Sequence, residues 1–210
     1  MTAKVTAYDF RHLRPPSGFH NVNEAFDLRG VSWLHPVESL FGDWNGSTLI
    51  LGQDYNSWGN ILNQPLSKLR HDPKFETNKN LITIFGPTCC ALYANYSWFI
   101  KDGLNASAPI SFSKSVREAN APVLAATIKG MPNIKNLFCL GAKVSKALLG
   151  KSAEPLSHKR IEICGAMLDC YALPHPGSLG MLNYQRRRKI SKELAVTEIR
   201  EFVQQNLGSL

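Results

Sequence analysis

STLILGQDYNSWGN, residues 47–60, turns from apolar to polar within one step. The run from Ser47 to Leu51 is short, apolar and closed by Gly52, which fits the length of a buried strand better than that of a helix. The chain then delivers Gln53-Asp54-Tyr55-Asn56 to the end of that strand. An Asp in such a place usually caps a turn, so the rest of the chain must supply partners before its carboxylate means anything more.

Working outward, a second short apolar run at 91–94 ends at Asn95, and a third at 137–140 closes at Gly141 and leads into a helix over 143–149. Residues 161–164 and 167–173 read as strands around Gly165, ending at Pro174-His175-Pro176-Gly177. Between the first two strands lies a connecting loop over 52–76, punctuated by Gly52, Gly59, Pro65 and Pro73. A helix follows with Thr77 as N-cap and Gly86 as its stop. Residues 113–129 have helical spacing interrupted by Pro122, and 183–205 form a long amphipathic helix. Residues 1–46, rich in Pro, Gly and aromatics, are expected to wrap the core, with a short helix within 26–40. Alternating strands and helices predict a layered α/β fold with a mostly parallel sheet. The organisation is one domain over 1–210: a wrapping segment to 46, a core over 47–182 and a C-terminal helix over 183–210.

A chain of 210 residues can bury a sizeable core, and 44% hydrophobic with 19% charged residues is the composition of an ordered, water-soluble protein. There is no apolar run of membrane-spanning length and no signal-peptide core at the start, so a cytoplasmic location is expected, beside the nucleoid if the cell is bacterial. The net charge of +8 and a pI near 9.3 favour a polyanionic partner over an acidic surface. Four basic residues run together as Arg186-Arg187-Arg188-Lys189, a pattern that also fits the solvated face of a helix. The five cysteines, Cys89, Cys90, Cys139, Cys164 and Cys170, make no Cys-x-x-Cys pair, and Cys139, Cys164 and Cys170 lie in apolar runs. They are expected to be reduced and mostly buried, and no metal or iron–sulfur cofactor is expected.

In α/β sheets, ligands sit in the crevice beyond the carboxyl ends of the strands. Three strands here end in Gln53-Asp54, in Asn95 and at His175. Together they offer an acid, an amide with paired donor and acceptor, and a titratable hydrogen-bond donor, a set able to read and attack a planar heterocycle.

The string Leu51-Gly52-Gln53-Asp54-Tyr55-Asn56 resembles the first motif of uracil-DNA glycosylases, Gly-Gln-Asp-Pro-Tyr-His. Pro174-His175-Pro176-Gly177-Ser178-Leu179 is similar to their second, His-Pro-Ser-Pro-Leu. Leu92-Tyr93-Ala94-Asn95-Tyr96 is similar to the strand that carries the base-reading Asn, as in the single-strand-selective branch. The stretch 140–150, LGAKVSKALLG, resembles the strand-to-helix segment of the thermostable branch. The likeness runs from about Leu49 to Leu182, four segments in the family's order, and implies a three-layer α/β/α domain around a mostly parallel four-stranded sheet.

That resemblance implies excision of uracil from DNA by hydrolysis of the N-glycosidic bond after base flipping. Asp54 would orient water and stabilise the sugar cation, and His175 would donate to uracil O2, with a backbone N–H near Gln53 assisting. Asn95 would hold the edge of the base, with Tyr55 a candidate to exclude thymine. The stacking ring has no counterpart at the family's spacing, leaving Trp58 or Phe75. Ser178 and the run Arg186, Arg187 and Arg188 would contact phosphates, and Leu179 would fill the gap left by the flipped base. The sequence departs from the family in lacking Pro after Asp54, in Asn56 for His and in Gly177 for Ser. No lysine stands out for a Schiff-base lyase step, so water is the expected nucleophile and a monomer acting on uracil-containing DNA the expected state. The competing readings are a module that binds uracil-containing or damaged DNA without cutting, and a hydrolase of small nucleosides.

Overall fold

The computed structural model describes residues 10–30, 42–54, 57–63, 74–86, 90–103, 112–151 and 153–207. In chain order its elements are β1 (Phe19–Asn21), α1 (Val22–Leu28), β2 (Thr48–Gly52), α2 (Trp58–Asn63), α3 (Glu76–Phe85), β3 (Ala91–Asn95) and β4 (Phe99–Lys101). There follow α4 (Lys114–Gly130), β5 (Asn136–Leu140), α5 (Ala142–Leu149), β6 (Ser157–Ile163), β7 (Ala166–Leu173), α6 (Ser178–Arg188) and α7 (Lys192–Leu207).

The opening stretch forms β2, every residue of which is buried. It lies inside a five-stranded sheet of order β3-β2-β5-β7-β6, parallel throughout except for β6, which pairs antiparallel with β7. Burial on both faces explains why β2, β3 and most of β5 read as unbroken apolar runs. Leu49, Ile50, Leu92 and Phe138 are almost fully enclosed, each contributing about 1.5–3 kcal/mol of apolar burial.

The chain leaves β2 toward β3 and later recrosses it to reach β5, and right-handed crossovers put the intervening helices on opposite faces. The layered α/β expectation holds, with five strands instead of four. The strand read at 161–164 is the second half of β6, which starts at Ser157, where the polar run His158-Lys159-Arg160 hides its first half from a search for apolar runs.

Several boundaries differ from the sequence reading for local reasons. The C-terminal helix is two helices: Lys189 turns left-handed at φ 57° and Ser191 starts α7 with a side-chain bond to the Leu194 N–H (3.3 Å). Helix α4 runs through Pro122, which sits on the exposed side and removes one helical hydrogen bond. Phe75, not Thr77, occupies the cap of α3. The wrapping segment forms α1 over 22–28, ahead of most of the expected 26–40 range, whose residues from 31 lie outside the described ones. It also lends β1 to an antiparallel pair with β4. The loop over 52–76 contains α2. Cys139 and Cys170 are buried, but Cys164 is exposed in the β6–β7 turn, as is Cys90 before β3; Cys89 lies outside the described residues. Among the described residues no helix is long and apolar enough to cross a membrane.

Candidate active site

Parallel pairing aligns the strand ends. Gly52 lies opposite Asn95, Leu51 opposite Cys139, and Leu140 opposite Leu173. Asp54, Asn95 and His175 therefore stand at one edge of the sheet. The connections from β2 and β5 depart in opposite directions, which makes the crevice above this pair the switch point where α/β sheets bind ligands.

Asp54 is held by its own strand and by the next. The Tyr96 N–H donates to the Gly52 carbonyl (2.8 Å) and the Ser97 N–H to the Gln53 carbonyl (3.0 Å), extending the β2–β3 pairing past the strand ends. The Gln53 side-chain amide then donates to Asp54 Oδ2 at 2.7 Å. Gly52 is required here because a Cβ would lie 2.3 Å from Tyr93 Oη and 2.5 Å from Asn95 Oδ1. Tyr93 and Asn95, two residues apart on one face of β3, both lean over the strand that presents Asp54. Burial, reinforced by the Asp54 charge, raises the Tyr93 phenol well above its usual range and keeps it an O–H. Asn95 is 8% exposed, and its carboxamide makes no hydrogen bond among the described residues. A nearly buried amide with its donor and acceptor unspent calls for a partner.

His175 accepts a hydrogen bond on Nδ1 from the Gly177 N–H at 3.0 Å. An imidazole whose Nδ1 accepts carries its proton on Nε2, so the neutral ring offers Nε2–H as a donor. Burial lowers the His175 pKa, with the Asp54 charge opposing, and this favours the neutral ring. Gly141, Gly177 and Gly180 enclose it: Cβ atoms there would lie 3.2 Å from His175 Cβ, 3.0 Å from Nδ1 and 2.3 Å from the His175 carbonyl oxygen. Asn80 of α3 donates to the Pro176 carbonyl at 2.7 Å and ties the His175 loop to the helix layer.

Lys143 had no assigned role in the sequence reading. It is the second residue of α5, directly after the Gly141 that packs on His175. It is half-buried; burial lowers its pKa, Asp54 raises it, and Lys101 at the end of β4 lowers it further. Only a sheet order that sets β5 beside β2 could have revealed the lysine's nearness to Asp54.

The remaining candidates divide. Tyr55 lies outside the described residues. Trp58 stacks on His20 (ring centroids 4.2 Å apart), so one of its faces is taken. Phe75 precedes α3 by one residue and stands two before Thr77, whose hydroxyl lies beside Gly177; the Lys74 ammonium sits 5.4 Å over its ring. Ser178 and Leu179 open α6 next to His175, both exposed, Leu179 by 71%. Arg186, Arg187 and Arg188 are at the other end of that helix, where Arg187 pairs with Glu154 and Arg188 with Glu198. Among the described residues no three His, Cys, Asp or Glu side chains converge as a metal site.

Set against known proteins, the chain matches no family model and no curated protein. What it does has to be argued from its own residues.

Proposed function

We propose that this chain is a DNA glycosylase that excises uracil by hydrolysing the N-glycosidic bond of a nucleotide turned out of its strand. The observation that carries this reading is the meeting of Asp54, Asn95 and His175 at the switch point, with the Asn95 amide unspent and the His175 Nδ1 engaged by Gly177. Breaking the bond leaves positive charge on the sugar and negative charge on the departing base. Asp54 answers the first, stabilising the sugar cation and aiming a water molecule. The Nε2–H of His175 answers the second at uracil O2, an interaction worth roughly 10²–10³ in rate where a donor meets a developing oxyanion.

Asn95 supplies the selection. Its oxygen accepts from uracil N3–H while its NH₂ donates to O4, a pattern that cytosine in its usual form does not match. A base inside a duplex does not reach such a crevice, so the nucleotide must be extruded, with exposed Leu179 at the lip to fill the gap. Of the two candidate rings, Trp58 is stacked on His20 while Phe75 stands two residues before Thr77, whose hydroxyl lies beside Gly177, and Phe75 is the ring assigned to the base.

The test is release of free uracil from an oligonucleotide carrying a single uracil, single- and double-stranded. Release by the unmutated protein, falling at least a hundredfold in Asp54→Asn and in His175→Ala, is the expected result. Retention of the oligonucleotide with no free base would instead identify a binding module.

A further inference from the structure

Lys143 is placed where a purely hydrolytic site does not need it. The sheet sets β5 between β2 and β7, so the helix that follows β5 starts between the strands that end in Asp54 and His175. Lys143 lies in the first turn of that helix, which contains no acidic residue. Helix N-termini carry positive partial charge, and a lysine there is disfavoured as a cation. A second lysine acts on it: the charge of Lys101 bears on Lys143, and the Lys101 backbone bridges to Ser57, three residues after Asp54. Desolvation and the Lys101 charge lower the Lys143 pKa against the opposing charge of Asp54, and a lysine so placed is one whose amine becomes available as a nucleophile.

We propose that Lys143 forms an imine with the abasic sugar left after base removal and cleaves the strand by β-elimination, giving this site a second, lyase activity. The inference rests on the glycosylase reading and extends it to that reaction's product. Hydrolysis leaves a hemiacetal at C1′ that opens to an aldehyde. The neutral Lys143 amine adds to C1′, and loss of the carbonyl oxygen as water gives a protonated imine. The carboxylate of Asp54, the charged neighbour of Lys143, takes a proton from C2′. The C2′–H electron pair forms the C2′=C3′ bond as the C3′–O bond breaks, and the 3′-phosphate departs with that bond's electrons. Water then hydrolyses the imine, restoring the lysine and releasing an unsaturated aldehyde end. Nothing is oxidised or reduced in the sequence.

The experiment uses an oligonucleotide with a pre-formed abasic site, so it does not depend on uracil release. The full chain is incubated with it in the presence of sodium borohydride, which reduces an imine to a stable amine link. A covalent protein–DNA adduct is expected with the unmutated chain, falling at least tenfold in Lys143→Arg, which keeps the charge but cannot form this imine. Melting curves establish that the variant is folded. In Lys101→Gln, loss of the neighbouring cation should raise the lysine's pKa, so the adduct forms several-fold more slowly at pH 7 and recovers at higher pH. No adduct from the unmutated chain, or an undiminished adduct from folded Lys143→Arg, overturns the proposal. Uracil release without adduct would remove the lyase and leave the glycosylase; adduct without uracil release would do the reverse.

Discussion

His175 shows how much of a site is made by residues that have no chemistry of their own. Three glycines and one buried asparagine fix its ring, and the tightest is Gly180, where a methyl group would overlap the His175 backbone. Gly180→Ala should therefore destabilise the fold by about 1–3 kcal/mol, measured by urea unfolding, and lower uracil release by displacing the ring. The same enclosure sets a pH dependence. Burial holds the His175 imidazole below its usual 6.5, so the unfolded chain takes up a proton at a pH where the folded chain does not. Stability present above pH 6.5 is then lost as the pH falls toward the folded value. Between pH 7.5 and 5.5 the melting temperature of the unmutated chain should drop more steeply than that of His175→Gln. Protonation of the folded ring also places a hydrogen on Nδ1, where Gly177 now donates, so uracil release should fall at lower pH than the onset of the stability loss, as the folded His175 itself titrates. The meeting of Asp54, Asn95 and His175 at one sheet edge was legible in the sequence because each follows a short apolar run of strand length. Tyr93 and Lys143 were not, because their nearness to Asp54 depends on strand order and side-chain direction, which no local pattern encodes.

At the level of elements, one side chain, Asn21, joins four parts of the N-terminal region and the core. Asn21 caps α1 by accepting from the Asn23 N–H (3.0 Å), donates to the carbonyls of Phe10 (3.0 Å) and Leu13 (3.1 Å), and accepts from Trp98 Nε1 (3.2 Å). Asn21→Ala strands those buried groups and should cost about 2–4 kcal/mol in urea unfolding. Asn21→Asp keeps the cap but loses the two donors, and should cost less. The β6–β7 hairpin makes the opposite case. Its turn residues, Cys164 and Gly165, have φ 51° and 82°, the left-handed pair that a two-residue hairpin demands. Cysteine is a poor occupant of that position and Asn-Gly the favoured pair, so Cys164→Asn should stabilise by about 0.5–1 kcal/mol and raise the melting temperature by a few degrees. Buried parallel strands are readable because two covered faces leave only apolar residues. The three-residue strands β1 and β4 have too few residues to show any period, and the break at Lys189 interrupts a polar surface where no apolar pattern marks it.

Over the whole molecule, the charge of +8 favours a polyanionic partner, but its placement decides which charges act. Arg186 to Arg188 stand ten residues at most from Ser178 along α6, a rise of roughly 15 Å, so a strand engaged at His175 meets them only several nucleotides away. Two of the three are already committed, Arg187 to Glu154 and Arg188 to Glu198, and each must give up a carboxylate before it can take a phosphate. Arg186 is exposed and has no ion pair among the described residues. The run should therefore contribute unequally and only on long substrates. On a single strand each phosphate contact adds about 0.7 to the slope of log K against log salt. Arg186→Gln should reduce that slope by about this amount on an oligonucleotide of some twenty nucleotides, and leave it unchanged on one of four or five centred on the uracil. Arg187→Gln and Arg188→Gln should move the slope less, while each changes stability by no more than about 1 kcal/mol, the usual worth of an exposed pair. Equal slopes for all three variants would mean that the glutamates yield to phosphate at no cost. A loss on the short oligonucleotide would bring the DNA path across the α6 C-terminus much closer to the site than the length of the helix allows.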